Sequence, residues 1–191
     1  MYTVSSGDAL IVVDVQNDFL PGGSLPVAEG NRIFGPLQRV MPLFPYVVAT
    51  RDWHPKEHPH FKEYGGAWPY HCLQHTHGAG FGPQMNLAYV DEILSKGTMA
   101  PWHGYSAFEN SDLAERLRAR GIRRIFIAGL ATDYCVKETA LAAVQSGFET
   151  LVITDAVAPV NVTPKDEAAA LAEMEQQGVR FVTSDELRTA A

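Results

Sequence analysis

Apolar positions along this chain fall into two patterns. Continuous runs bounded by polar or turn residues occur at ALIVV (9–13), YVVAT (46–50), RIFIA (124–128), TLVIT (150–154) and VRFVT (179–183), with a weaker one at VDEIL (90–94). Runs this short and this uniformly apolar read as strands covered on both faces. Helical patterns lie between them. SDLAERLRARG has a cap candidate at Ser111 and stops at Gly121. DYCVKETALAAVQSG starts beside Thr132 and Asp133 and stops at Gly147. TPKDEAAALAEMEQQG has Thr163 as cap, Pro164 in the first turn, acids after it and Gly178 as stop. Residues 30–44 are a further helical candidate. Strands alternating with helices predict an α/β fold of three layers, a mostly parallel central sheet of about six strands flanked by helices. It is read as a single domain over 1–191.

The stretch 52–89 breaks the pattern. It has almost no periodicity and is rich in His, Pro, Gly and Trp. A loop of this length in a compact domain is usually functional. Six of the chain's seven histidines fall in it: His54, His58, His60, His71, His75 and His77.

Composition narrows the classes. With 191 residues and 46% apolar content the chain can bury a core. A net charge of −7 without a basic cluster argues against nucleic acid or an anionic membrane as partner. No apolar run approaches the roughly 20 residues of a membrane span. MYTVSSGDALIVV lacks the basic flank and cleavage site of a signal peptide, and two cysteines make no disulfide framework. These features predict a soluble cytoplasmic protein.

Ligands of open parallel sheets bind outside the carboxyl ends of the strands. Asp14, Asp52 with His54, Lys96 and Cys135 each follow a different predicted strand. Cys135 lies at a predicted helix start, where free N–H groups and the helix dipole favour a thiolate and can face an oxyanion. A carboxylate such as Asp14, just past a buried strand, can have a raised pKa and take a thiol proton. With Lys96 the three form an acid–base–nucleophile set. Lys96 at a strand end is expected to tolerate truncation with little loss of stability. Asp18 reads as a turn residue and Cys72 as a structural one. Asp52 and His54 are two apart, so an extended backbone puts them on one side. Imidazole and carboxylate donors suit zinc, iron or manganese.

The ordered motifs ALIVVDVQNDFLPGGSLPV, TRDWHP, WPYHC, SKGT, YSAF and GLATDYCVKETALAA resemble the nicotinamidase/pyrazinamidase branch of the isochorismatase-like cysteine hydrolases, over about residues 8–186. The resemblance implies hydrolysis of nicotinamide, and of pyrazinamide, through a cysteine thioester. It implies a triad of Asp14, Lys96 and Cys135, and one divalent metal, zinc foremost, on Asp52, His54 and His71. A further first-loop histidine binds metal in some members; His58 fits one subset's spacing and His60 another's. Phe19 and Trp68 match aromatics that sandwich the substrate ring. The Leu130–Ala131 bond matches a cis peptide that aims the Ala131 N–H at the oxyanion beside that of Cys135. A homo-oligomer is also implied. His75 and His77 depart from the usual pattern and have no assigned role. The rival expectations are an amidohydrolase of this superfamily for another small amide, or a non-catalytic metal-binding protein.

Overall fold

The computed structural model describes residues 1–189. The strands along it are β1 (Tyr2–Val4), β2 (Asp8–Val13), β3 (Val47–Asp52), β4 (Glu92–Lys96), β5 (Arg124–Leu130), β6 (Glu149–Ala158), β7 (Arg180–Val182) and β8 (Leu187–Thr189). The six apolar runs become one parallel sheet in the order β4-β3-β2-β5-β6-β7. β1 and β8 pair with each other apart from it. Each is three residues long, too short for periodicity to mark.

The helices are α1 (Phe34–Val40), α2 (Leu113–Ala119), α3 (Lys137–Gln145) and α4 (Asp166–Gln176). α1 is shorter than the 30–44 expectation, with 3-10 turns at Gly30–Ile33 and Met41–Leu43 on either side. Pro42 cannot donate the amide that would continue it. The caps also differ from expectation. Ser111 Oγ does accept the Leu113 N–H at 3.1 Å, although the cap position is Asp112. Thr163 does not cap α4; its N–H and hydroxyl donate to Asp166, at 2.7 and 2.5 Å. The carboxylate is the stronger acceptor and shifts the helix start to Asp166.

Alternation along the strands splits the core into two layers. Leu10, Val12, Phe126 and Ala128 pack with Phe34, Leu37 and Val40 of α1. Ala9, Ile11, Val13, Ile125 and Ile127 pack with Leu117 of α2, Ala140 and Ala143 of α3 and Met174 of α4. Each such fully buried Leu, Ile or Phe stabilises the fold by about 1.5–3 kcal/mol. From β2 the chain steps outward to β3 and β4, then returns past β2 and steps the other way through β5, β6 and β7. Right-handed crossovers in opposite directions require helices on opposite faces, which is where α1 and α2–α4 lie. The reversal falls between β2 and β5, and this is where an open sheet offers a ligand crevice at its strand ends. Among the described residues no helix is long and apolar enough to cross a membrane.

Candidate active site

Three strand ends deliver the charged residues. Asp14 follows β2 with φ of 48°, a left-handed turn that swings it off the strand line. Asp52 and Lys96 end β3 and β4 and are register partners, so they emerge side by side. Cys135 sits in the π-helical turn Thr132–Val136 that joins β5 to α3. Leu130–Ala131, just before it, is cis as expected.

Lys96 Nζ lies 2.6 Å from Asp14 Oδ2, 2.5 Å from Asp52 Oδ1 and 3.5 Å from Cys135 Sγ, and it donates to the Gly104 carbonyl. All four side chains are buried. Asp14 Oδ1 accepts the Thr50 hydroxyl at 2.7 Å. Asp14 Oδ2 has no aligned hydrogen-bond donor among the described residues. A carboxylate oxygen of Asp14, one of Asp52 and the Cys135 sulfur all lie within 4.8 Å of one another. Burial, with the Asp52 charge beside it, pushes the Asp14 carboxyl up to about 6 against the pull of Lys96. Burial acts on Asp52 in the same direction, but Lys96, His54 and His71 outweigh it and hold that carboxyl well below the usual range.

The thiol departs from the sequence expectation. Burial and the two carboxylates push Cys135 well above the ordinary thiol range, and Lys96 offsets them only in part. The helix start does not make a resting thiolate here, because desolvation of the sulfur outweighs the favourable charges. Lys96, against the cost of its own burial, is held well above its usual value by Asp14 and Asp52.

The histidine cluster adjoins Asp52. His54 continues β3 in extended form, its N–H donating to Cys72 O and its carbonyl accepting the Gln74 N–H. That pairing draws His71 alongside. His54, His60 and His71 each offer a ring nitrogen within 4.8 Å of the others. His54 Nδ1 pairs with Gly97 O at 2.9 Å and His71 Nδ1 with Pro69 O at 2.8 Å. Each Nδ1 therefore donates to its carbonyl, which leaves each Nε2 as the ring nitrogen free to meet a ligand. His54 Nε2 is buried with no hydrogen-bond partner among the described residues, 3.5 Å from Asp52 Oδ2. Burial and neighbouring imidazoles push His60 down to about 3, and burial lowers His71 as well, so both rings are neutral. Neutral His60 and His71 rings beside an ionised carboxylate, with the unpartnered His54 Nε2 next to them, fit a divalent metal.

Of the two first-loop candidates, His60 enters this cluster. His58 is spent elsewhere: its Nε2 donates to Trp102 O at 3.0 Å and its Nδ1 accepts the His60 N–H at 3.2 Å. His75 and His77 are exposed and lie outside the cluster; His75 packs edge-on against Trp53. Cys72 is buried and free, and its N–H donates to Asp18 Oδ2 at 2.7 Å. Asp18 is thus more than a turn residue, since it ties the 17–24 loop to the histidine loop. Sequence reading gave Gln16 no role. It is buried, and its side chain brackets Asp52, donating to Asp52 O at 2.8 Å and accepting Asp52 N–H at 2.7 Å. Its only signal was a polar residue inside an otherwise strand-like start.

A small pocket opens onto Cys135. Its walls include Phe19, Trp68, Tyr105, Tyr134, Leu130 and Val160, and Asp52, His60 and His71 line it too. Phe19 and Trp68 therefore both face the pocket, as expected. Trp68 Nε1 donates to Tyr105 Oη at 2.8 Å, and its ring meets Tyr134 edge-on at 5.2 Å. Tyr105 and Tyr134 lie in the YSAF and GLATDYC motifs but had no assigned role.

Comparison with known proteins agrees with this geometry. A family model described as an isochorismatase domain matches residues 8–186. The nicotinamidase/pyrazinamidase of Mycobacterium tuberculosis is 37% identical, over 92% of this chain and 98% of its own. PnC1 of L. infantum, solved in complex with nicotinate, superposes with a TM-score of 0.94 at 38% identity, covering 99% of each chain. The pyrazinamidase of Pyrococcus horikoshii, solved in complex with zinc, gives a TM-score of 0.85 at 45% identity, over 93% of this chain and 99% of that one.

Proposed function

The chain belongs to the isochorismatase family, and from that premise we propose that it hydrolyses nicotinamide to nicotinate and ammonia, with pyrazinamide as a second substrate. One observation carries the reading. A buried thiol, a lysine bridging two carboxylates and a neutral imidazole cluster share one small pocket with aromatic walls. An aromatic ring with a short carboxamide matches those walls and that nucleophile.

Asp52, His54, His60 and His71 would hold a divalent ion, zinc foremost. When bound it supplies a Lewis acid for a pyridine-type ring nitrogen. Phe19 and Trp68 flank the ring, which leaves the carboxamide facing Cys135. The sulfur attacks the amide carbon as Asp14 Oδ2 takes its proton, so thiolate forms only as it is consumed. Lys96 keeps Asp14 ionised and in place. The backbone N–H groups of Ala131 and Cys135 receive the oxyanion; removing one such donor typically costs about 10²–10³ in rate. Asp14 passes the proton to the departing nitrogen as the C–N bond breaks, which leaves a thioester. It then accepts a proton from the water that cleaves the thioester, which returns the thiol and releases nicotinate. Both cysteines being free supports a cytoplasmic setting.

Ammonia release from nicotinamide tests the reading, followed across pH. Asp14 must be ionised to accept the proton, and its carboxyl sits at about 6. The value of kcat/KM should therefore be flat above about pH 6 and fall roughly tenfold per unit below it. No release at any pH from the metal-loaded protein would reject the proposed substrate. A separate test concerns the metal. His60→Ala should emerge from gel filtration without zinc, whereas His58→Ala keeps it. Equal zinc in the two variants would remove His60 from the ligand set.

A further inference from the structure

Lys96 and His54 share a support that neither motif nor spacing announces. Residues 97–104 leave β4 and return beside it. At the start of this loop the Gly97 carbonyl accepts His54 Nδ1–H. At its end the Gly104 carbonyl accepts Lys96 Nζ–H. The two glycine peptides are packed on each other. A Cβ at Gly104 would fall 2.6 Å from Gly97 N and 2.7 Å from Gly97 Cα, and one at Gly97 would fall 2.3 Å from the His54 ring. Both glycines have positive φ, 60° and 81°. So one stacked pair of peptides orients a proposed metal ligand with one carbonyl and the central ammonium with the other.

Gly104 is itself held in that place. Its N–H donates to Glu109 Oε2. That bond pins the backbone nitrogen of the residue whose Cα sits against Gly97 and whose carbonyl holds Lys96, so it fixes the point from which that carbonyl reaches the ammonium. The acceptor is a half-buried carboxylate, which makes the bond charge-assisted. Glu109 is itself anchored, its N–H donating to Ser106 O at 3.2 Å. It lines an open groove that Lys96 also borders, and it is absent from the walls of the substrate pocket.

We propose that Glu109 is a positioning residue for both halves of the site: by holding Gly104 in place it positions the carbonyl that holds Lys96, and through the Gly104–Gly97 contact it steadies the carbonyl that accepts the His54 Nδ1–H. This rests on the hydrolase reading above for its catalytic half, while its metal half stands on geometry alone. Glu109 acts through its acceptor oxygen, and its charge strengthens that bond. The inference thus separates it from the other acids of the same groove, such as Glu115, which is exposed on α2.

The test compares Glu109→Ala, Glu109→Gln and Glu115→Ala with the wild type, each zinc-loaded. Three readouts are taken: kcat and KM for nicotinamide, the rate of zinc loss to a chelator, and the thermal midpoint. In Glu109→Ala, kcat should fall roughly ten- to a hundredfold, the worth of one hydrogen bond to a charged group. KM should change little and zinc loss should speed up. Glu109→Gln, whose amide oxygen can accept the same N–H, should recover a large part of both kcat and zinc retention. Glu115→Ala should match the wild type. Wild-type values in Glu109→Ala would overturn the proposal. So would a Glu109→Gln variant as impaired as Glu109→Ala, since then the charge rather than the bond is at work. Should the alanine variant fail to fold, the glutamine variant still decides between bond and charge. If the wild type releases no ammonia from nicotinamide, the hydrolase reading fails and the zinc-loss arm alone judges Glu109.

Discussion

Replacing Cys135 with alanine should reduce ammonia release on the order of 10⁴-fold or more while bound zinc stays at the wild-type level. The size follows from the role, since the sulfur forms the bond to carbon and no neighbouring group can substitute for it. Removal of a covalent nucleophile typically leaves only what binding and the oxyanion donors supply. Metal retention follows from position. Cys135 Sγ groups with Asp14 and Asp52 and not with the histidine trio. Elemental analysis and the ammonia assay on one preparation check both halves. Substantial residual turnover would remove the thioester, and loss of zinc would place the sulfur in the metal site.

Lys96→Ala should be as inactive, and it should also be much less stable at neutral pH. This reverses the expectation drawn from the sequence, where a lysine at a strand end looked dispensable to the fold. In the structure its ammonium is buried between Asp14 and Asp52. Removing it leaves two carboxylates facing each other out of water. Breaking a buried ion pair from one side typically costs about 3–5 kcal/mol. Without Lys96 the Asp14 carboxyl, already raised to about 6 in its presence, must rise further. A carboxyl whose folded pKa lies above its unfolded one favours the folded state when protonated, and that gain is lost as pH rises through the folded value. The variant's deficit should therefore be largest at neutral pH and above, and should shrink on acidification toward pH 5. Thermal midpoints of variant and wild type across that range are the measurement. A deficit independent of pH would mean that the two carboxylates are not what Lys96 neutralises.

The same residue marks where sequence reading reaches its limit. Its place after a strand was legible, because a short apolar run bounded by turn residues has few other readings. Its burial was not, because burial came from the 97–112 segment folding back over it. The thiol of Cys135 repeats the lesson. A helix start predicts a lowered thiol pKa, but the local signal cannot report how completely the surrounding layers exclude water, and that exclusion decides the direction.

By itself, then, the sequence determined the six-stranded parallel sheet, the strand ends that carry Asp14, Asp52, Lys96 and Cys135, and the family. These rest on periodicity and ordered motifs, which are local or one-dimensional properties. Tertiary structure alone brought His60, and not His58, into the histidine cluster. Both belong to one short loop and differ by two residues, and the choice turns on which ring already spends its nitrogens on neighbours: His58 meets Trp102, 44 residues away in sequence. Tertiary structure also brought in Gln16 and Glu109, whose partners are backbone groups, those of Asp52 for Gln16 and of Gly104 within the same loop for Glu109. A backbone carbonyl or amide has no residue type to read, so contacts made to it leave no pattern along the chain.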